Sequence, residues 1–390
     1  MSWEKHQLSE VADFLLGKML DQKKNKGDPL PYLANKNVRW GSFDLDNLRE
    51  MRFELHEMER YGLKCGDIVM CEGGEPGRCA IWTEQLPEMM FQKALHRIRP
   101  HKSIDNKFLY YSFLQKGRNN SFQGLFTGAT IKHLPKEKLA KVEVEVPPLP
   151  IQKRISSILS AYDDLIENNR RRIALLEEAA RLLYREWFVH FRFPGHEHVK
   201  IVDGVPEGWG YAPMVELVEM VMGQSPKSEF YNNNGDGLPF HQGVTNYNFR
   251  FVSDVTYSTK ITKLAEAGDI LFSVRAPVGR INITLNKMVV GRGLAAFRSK
   301  AENQSFLLYQ LKNHFFKEDL IGGGAIYAAT NKKELEKLAL LQPIDELVSA
   351  FEQITKPIDD QIRVLTLESV HLVQARDLLL PRLMDGRLEV

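Results

Sequence analysis

Several things are scarce or missing in this sequence, and each absence excludes something. Of 390 residues only three are cysteine. Cys65, Cys71 and Cys79 crowd into one segment without a CxxC pair, which suits neither a disulfide framework nor a zinc site. They read as reduced thiols of a cytoplasmic protein. No run of about 18 apolar residues occurs, and the opening MSWEKHQLSE has no apolar signal core, so no membrane association is expected. There is no GxxxxGK[ST] nucleotide loop and no GxGxxG following a strand. An Asn/Asp-Pro-Pro-aromatic motif, as used by amino-methyltransferases, is absent too. Cys65 has no neighbouring base, His196-Glu-His198 is an isolated pair in a Pro-Gly turn, and Asp21-Gln-Lys23 lacks the upstream acid of a nuclease metal motif. The expectation is therefore no catalytic residue, no metal and no cofactor in this chain. A strong charge bias is also missing. With 52 Lys and Arg against 50 Asp and Glu, the net charge is +2 and the pI about 8.2. That falls short of the domain pI above about 9 that flags a nucleic-acid binder, so bulk charge decides nothing.

One long stretch lacks glycine and proline altogether, from Ile151 to Phe188. Its apolar residues include Ile151, Ile155, Ile158, Tyr162, Ile166, Ile173, Leu176, Ala180, Leu183 and Trp187. Gaps of three and four place them on one stripe of a helix. At about 1.5 Å per residue such a helix spans roughly 55 Å, more than a small domain can bury. Upstream, residues 1–146 mix strand-like runs (Asp67–Cys71, Val142–Val146) with a helical one at Phe108–Leu114. Pro147-Pro-Leu-Pro150 introduces the long helix, and Phe193-Pro-Gly195 breaks it.

The chain then begins again. Trp3, Glu10 and Gly17 match Trp209, Glu216 and Gly223 at an offset of 206. Gly27-Asp28 matches Gly235-Asp236 at 208, Gly66-Asp67-Ile68 matches Gly268-Asp269-Ile270 at 202, and Phe108-Leu109 matches Phe306-Leu307 at 198. Gly128-Ala129 matches Gly324-Ala325 at 196, and the helix repeats at the same 196: Ile155, Tyr162, Ile166, Leu176 and Leu183 fall on Phe351, Ile358, Ile362, Leu372 and Leu379. Ordered matches over a whole half are a duplication, not chance. The organisation expected is domain 1–146, helix 147–192, linker 193–208, domain 209–343 and helix 344–390. Pro357 should bend or delay the second helix, and Pro381 with Gly386 should end it. We expect the two helices to pair antiparallel as a coiled coil, with Ser160, Ala161, Ala174 and Ala179 allowing close approach and Asn169 setting register. The fold class expected is α/β (α+β), with two similar globular domains, two long helices and an internal pseudo-two-fold.

A duplicated reader on a spacer suits duplex DNA, whose half-sites recur about every 34–36 Å. Arg and Lys fit guanine edges and phosphates, Asn and Gln fit adenine edges. On that chemistry the candidate contacts are Lys18, Lys23, Lys24, Arg39, Arg78 and Lys132 in the first half. In the second they are Gln224, Lys227, Asn246, Arg275, Arg280, Arg292 and Lys332. Any one of these is weak, since a surface lysine run is usually a solvated loop. Gly322-Gly-Gly324 suits either a phosphate approach or a turn.

The ordered motifs resemble one family. They are Gly66-Asp-Ile-Val69 with Gly77-Arg78, and Gly268-Asp-Ile-Leu-Phe-Ser-Val-Arg-Ala-Pro-Val-Gly-Arg280. Gly291-Arg-Gly-Leu-Ala-Ala296, Pro147–Ile155, Glu167-Asn-Asn-Arg170, Arg185-Glu-Trp-Phe188 and Val205-Pro-Glu-Gly-Trp209 complete the set. Together they resemble the specificity subunit of type I restriction-modification systems over essentially the full length. The resemblance implies two target-recognition domains, each reading half of a bipartite double-stranded DNA site. It implies that the helices fix the unread gap and dock two methyltransferase subunits, which bind S-adenosylmethionine and methylate adenine. Two restriction subunits, using ATP and Mg, can join. The docking and spacer residues implied are Ile155, Tyr162, Ile166, Leu176, Leu183, Trp187, Phe351, Ile358, Ile362, Leu372 and Leu379. The specificity subunit itself is non-catalytic, in line with the missing enzyme motifs. Competing readings are a two-headed protein scaffold with no DNA role, and an enzyme with a cryptic site in each half.

Overall fold

A computed structural model describes residues 3–21, 25–315 and 330–390. The chain folds as two compact units: Met1–Asn169 with Leu367–Val390, and Arg170–Thr366. Each unit holds one β-rich domain and one end of each long helix. No helix among the described residues is long and apolar enough to cross a membrane.

In the first unit a four-stranded antiparallel sheet runs in the order Ala12–Leu16, Leu95–Pro100, Ile68–Cys71, Cys79–Ile81. A second sheet has the order Arg49–Phe53, Asp28–Leu33, Met90–Phe91, the last pair parallel. Glu4–Gln7 pairs with Glu143–Val146. The helix Asn106–Arg118 packs on this framework and carries the buried Phe108, Tyr111 and Phe113. The second unit repeats the plan. Its four-stranded sheet is Val218–Met222, Leu294–Ser299, Ile270–Ser273, Ile281–Ile283. Leu238–His241 lies parallel to Met288–Val290, as Asp28–Leu33 does to Met90–Phe91. Gly210–Pro213 pairs with Ala339–Gln342, and Gln304–Phe315 is the packed helix.

The long helices run Leu149–Phe188 and Asp345–Met384, 40 residues each, with both ends related by the 196 offset. The first starts where expected: Pro150 sits in the opening turn, where its missing N–H has no partner to lose. The second corrects the expectation. It starts at Asp345, well before Pro357, and continues past Pro381 to Met384. Pro357 therefore sits inside the helix and forgoes the bond to the Gln353 carbonyl, while flanking packing at Phe351, Thr355 and Ile362, all fully buried, holds the segment helical. Gly386, with φ +66°, lies just beyond the end.

Within each unit the two helical ends run antiparallel. In the first, Asn169 Nδ2 donates to Glu368 Oε2 at 3.0 Å, and Arg376 donates to Asp163. Asn169 is thus buried and partnered, as a register-setting asparagine requires. Ile155 and Leu159 share a core with Leu380, Leu383 and the sheet residues Ile68 and Ile98. In the second unit Tyr184, Trp187 and Phe188 close on Phe351, with ring centroids 6.0, 6.0 and 5.2 Å away. Phe351 is fully buried, so truncating it to alanine should cost about 3–5 kcal/mol. Tyr162, Ile166, Leu176, Leu183, Ile358, Leu372 and Leu379 are half-buried and Ile362 is fully buried. The stripe differs from expectation at Ile158 and Ile354, which are 36% and 45% exposed. Their neighbours Leu159 and Thr355 are buried instead. Of the four small residues named for close approach, Ala161, Ala174 and Ala179 are exposed and Ser160 is buried.

Each domain is fastened to the helices by the same pair. Tyr111 donates to Asp163 at 2.6 Å, and its repeat partner Tyr309 donates to Asp359 at 2.9 Å. Burial and the adjoining carboxylate push both phenols far above their ordinary range. The cap of the packed helix has diverged. Asp105 caps its own helix, accepting from Phe108 N at 2.9 Å, and Ser156 of the long helix donates to it. In the second unit Glu352, at the position equivalent to Ser156, reaches across and accepts from Ser305 N and Phe306 N at 3.2 and 3.0 Å. Burial raises the Glu352 carboxyl above its ordinary value even so.

Candidate nucleic-acid interface

The Gly-Asp motif is the scaffold of each domain's outer loops. Asp67 N donates to Lys64 O at 3.0 Å, closing a turn whose third residue, Gly66, has φ +91°. That is the conformation only glycine adopts without strain. The Asp67 carboxylate accepts from Lys64 N at 2.8 Å and takes both arms of Arg99 at 2.7 Å. Asp269 repeats the arrangement with Glu266 N and Arg298. The bidentate bonds raise both guanidinium pKa values. With Asp67 only 1% exposed, the motif is architectural. It anchors the strand that leads into a hairpin closed identically in both domains. Gly77 N donates to Cys71 O, and Gly279 N to Ser273 O, each at 3.0 Å.

In the second domain three segments are tied together by backbone bonds. Gly291 N donates to His241 O at 2.8 Å, Gly293 N to Gln242 O at 3.1 Å, and Val274 N to Gly293 O at 2.9 Å. A Cβ on Gly293 would lie 2.4 Å from Gln242 O, so glycine is required there. The platform presents Gln242, Arg275 and Arg292, all exposed, around a cleft of about 130 Å³. Arg275 and Arg292, named from sequence as separate candidates, thus share one site. Gln242 was missed; its signal was a glutamine at a strand end directly before Gly243. The first domain repeats two of these three backbone ties, Gln92 N to Leu33 O at 3.1 Å and Glu72 N to Ala94 O at 2.8 Å. There the repeat places Ala34, Gly73 and Lys93.

The other candidates separate by what they touch. Lys18 is a correction: it is 3% exposed, and its ammonium lies 2.5 Å from Glu57 and 2.8 Å from Arg52 O. A buried lysine is retained because it is paired, and a paired buried lysine is not available to a phosphate. Burial works to raise the Glu57 carboxyl, but Lys18, the Glu54 backbone N–H and His56 together hold the value below ordinary. Arg78 is a second correction: only 13% of its side chain is exposed, with Glu75 at 2.5 Å and Asn35 O at 2.9 Å. Arg39 is exposed with Asp44 at 3.4 Å, and Lys332 pairs with Glu336 at 3.3 Å, both weak surface pairs that DNA could displace. Lys132, Gln224, Lys227 and Arg280 are exposed, and Asn246 is half-buried in the turn beside Gln242. Lys23, Lys24 and the Gly322–Gly324 run lie outside the described residues. Among the described residues no group of three His, Cys, Asp or Glu is placed to hold a metal. Sequence reasoning also missed Arg250. It is 4% exposed and joins Glu177 and Asp359 of the two helices, with Lys312 also on Glu177.

The family profile described as "Type I restriction modification DNA specificity domain" matches residues 1–178 and again 206–363, once per repeat. The provisionally named type I restriction enzyme MjaX specificity subunit of Methanocaldococcus jannaschii is 30% identical over 402 residues, covering 100% of this chain and 94% of that one. The type I restriction enzyme MjaIX specificity subunit of the same organism is 25% identical over 409 residues, with the same coverage of 100% and 94%. Among solved structures, the S subunit of a type I restriction-modification system from M. genitalium aligns with a TM-score of 0.60 at 17% identity, covering 98% of this chain and 96% of that one. The shared fold, the doubled profile match and the full-length relatives agree, and the chain belongs to the type I restriction-modification DNA specificity family.

Proposed function

We propose that this chain chooses the DNA sequence on which a type I restriction-modification complex acts. Each domain reads one half of a bipartite duplex site, and the two long helices set the gap between halves. The observation that carries this reading is the duplicated platform. Two shared backbone ties support Gln242, Arg275 and Arg292 in one domain and Ala34, Gly73 and Lys93 in the other. One scaffold bearing two different side-chain sets suits two different half-sites. Residues 1–146 and 209–343 are the two readers, residues 147–192 and 344–390 the spacer, and 193–208 the link. The chain does no chemistry itself. Adenine methylation with S-adenosylmethionine belongs to two methyltransferase subunits, and ATP- and Mg-dependent cleavage to restriction subunits, all in the cytoplasm.

The helices suit subunit docking as well. Ile158 and Leu182 and their repeat partners Ile354 and Leu378 are exposed at 36, 45, 45 and 66%. Apolar residues this exposed on each copy fit one methyltransferase subunit per repeat.

Mapping methylated adenines in DNA exposed to the assembled complex tests the reading. A motif of two short specified halves around a fixed unspecified gap is expected. A complex with no preference for any duplex would reject it.

A further inference from the structure

We propose that the cleft formed by Gln242, Arg275 and Arg292 grips one backbone phosphate of the duplex and does not read a base. This rests on the DNA-reading function above and assigns that site its ligand. Four observations converge on it. Two exposed guanidiniums border one cleft, and among the described residues neither has a carboxylate partner. Like charges so placed repel, and a full negative charge between them relieves the repulsion. A guanine edge is neutral and is satisfied by one bidentate arginine. The cleft measures about 130 Å³. That leaves room for a tetrahedral oxyanion. Its walls are fixed: a Cβ on Gly291 would fall 2.6 Å from Gln242 Cα, and one on Gly293 would fall 2.4 Å from Gln242 O. Backbone therefore lies close against the site, and the Gln242 amide supplies a neutral N–H donor beside the two cations. The repeat-related platform carries only Lys93 as a cation, with Gly73 and Ala34 beside it. The grip therefore belongs to the second domain, where it sets that domain's register on the duplex.

The test uses the full chain in its methyltransferase complex with Arg275→Gln, Arg292→Gln and the double variant, all at exposed positions. Thermal melting confirms that each is folded, and Arg275→Lys serves as the charge-retaining control. Dissociation constants for a methylated-motif duplex are measured across salt concentrations, and methylated motifs are mapped in parallel. Each single variant should weaken binding about ten- to a hundredfold on every duplex alike. The methylated motif should stay unchanged. Because both arginines act on one phosphate, the double variant should reduce the salt slope by about one, not two. Arg275→Lys should keep the wild-type slope. A neutral methylphosphonate scanned along the backbone should weaken wild-type binding at one position in the second half-site and leave the double variant indifferent there. Loss of selectivity at a single base would overturn the phosphate assignment while leaving the DNA-reading function intact. Unchanged affinity in all variants would remove the cleft from the interface. A wild-type complex that binds no duplex would instead defeat the parent reading.

Discussion

Replacing Arg250 with alanine should destabilise the second unit selectively. The side chain is 3% exposed and touches three partners: Glu177 on the first long helix, Asp359 on the second at 2.5 Å, and the Tyr309 hydroxyl at 3.1 Å. Burial works against its charge, and the Asp359 and Glu177 carboxylates more than compensate, so the guanidinium stays protonated. Removing one member of a buried ion pair costs about 3–5 kcal/mol, because the charge left behind stays buried. Here the residue is partly cushioned. Lys312 remains on Glu177, and Tyr309 still donates to Asp359 at 2.9 Å, which favours the lower end, about 3 kcal/mol. For a unit the size of residues 170–366, each kcal/mol moves the midpoint by about 2–4 °C, so a fall of roughly 6–12 °C is expected. Differential scanning calorimetry of the full chain measures it, with one transition moving and the other holding. The exposed Arg280→Ala is the control and should stay within about 0.5 kcal/mol of wild type. An Arg250→Ala shift no larger than that control would refute the claim that this network carries the attachment.

Two further outcomes follow from the same physics. Burial pushes the Glu177 carboxyl up, but Arg250 and Lys312 pull it below its ordinary 4.5. A depressed carboxylate stabilises the fold above the unfolded value, and that contribution fades as pH falls through the lower folded value. The stability gap between wild type and Glu177→Gln, from urea midpoints, should therefore be constant above about pH 5 and narrow below the ordinary value; a gap unchanged down to pH 3 would contradict this. Inserting one heptad into each long helix at the boundary between units, after Asn169 and after Thr366, lengthens the spacer by roughly 10 Å. At about 3.4 Å per base pair the methylated motif should gain about three unspecified positions with both halves intact; altered halves around an unaltered gap would sink the spacer role.

The duplication, the long helices and the Gly-Asp turns were legible because each is local or periodic. Gly66 and Gly268 show their role in one turn, and the 196 offset repeats residue by residue. Contacts between distant residues were not. Lys18 reads as a loop cation until Glu57, 39 residues away, is folded against it. Arg250 reads as an ordinary surface residue beside Asn248 and Phe249, and only the assembled helices make it a buried clamp. Pro357 was over-weighted, since local propensity yields to packing on both sides. In the site itself, the arginines could be named from their chemistry. Their sharing of one cleft depends on a parallel strand pair, Leu238–His241 with Met288–Val290, that no short-range pattern announces.

The divergent helix caps bear on how such chains could be recombined. Because Ser156 and Gln152 hold the first domain's Asp105, while Glu352 supplies the second domain's cap from outside it, neither domain is complete at its own β-rich border. A chimera spliced at residue 146 or 208 would pair a foreign helix start with the wrong cap. One spliced within the helices, near Asn169 and Thr366, would carry each module with its fastenings, so the joints for exchanging specificities lie mid-helix, where sequence alone shows no seam.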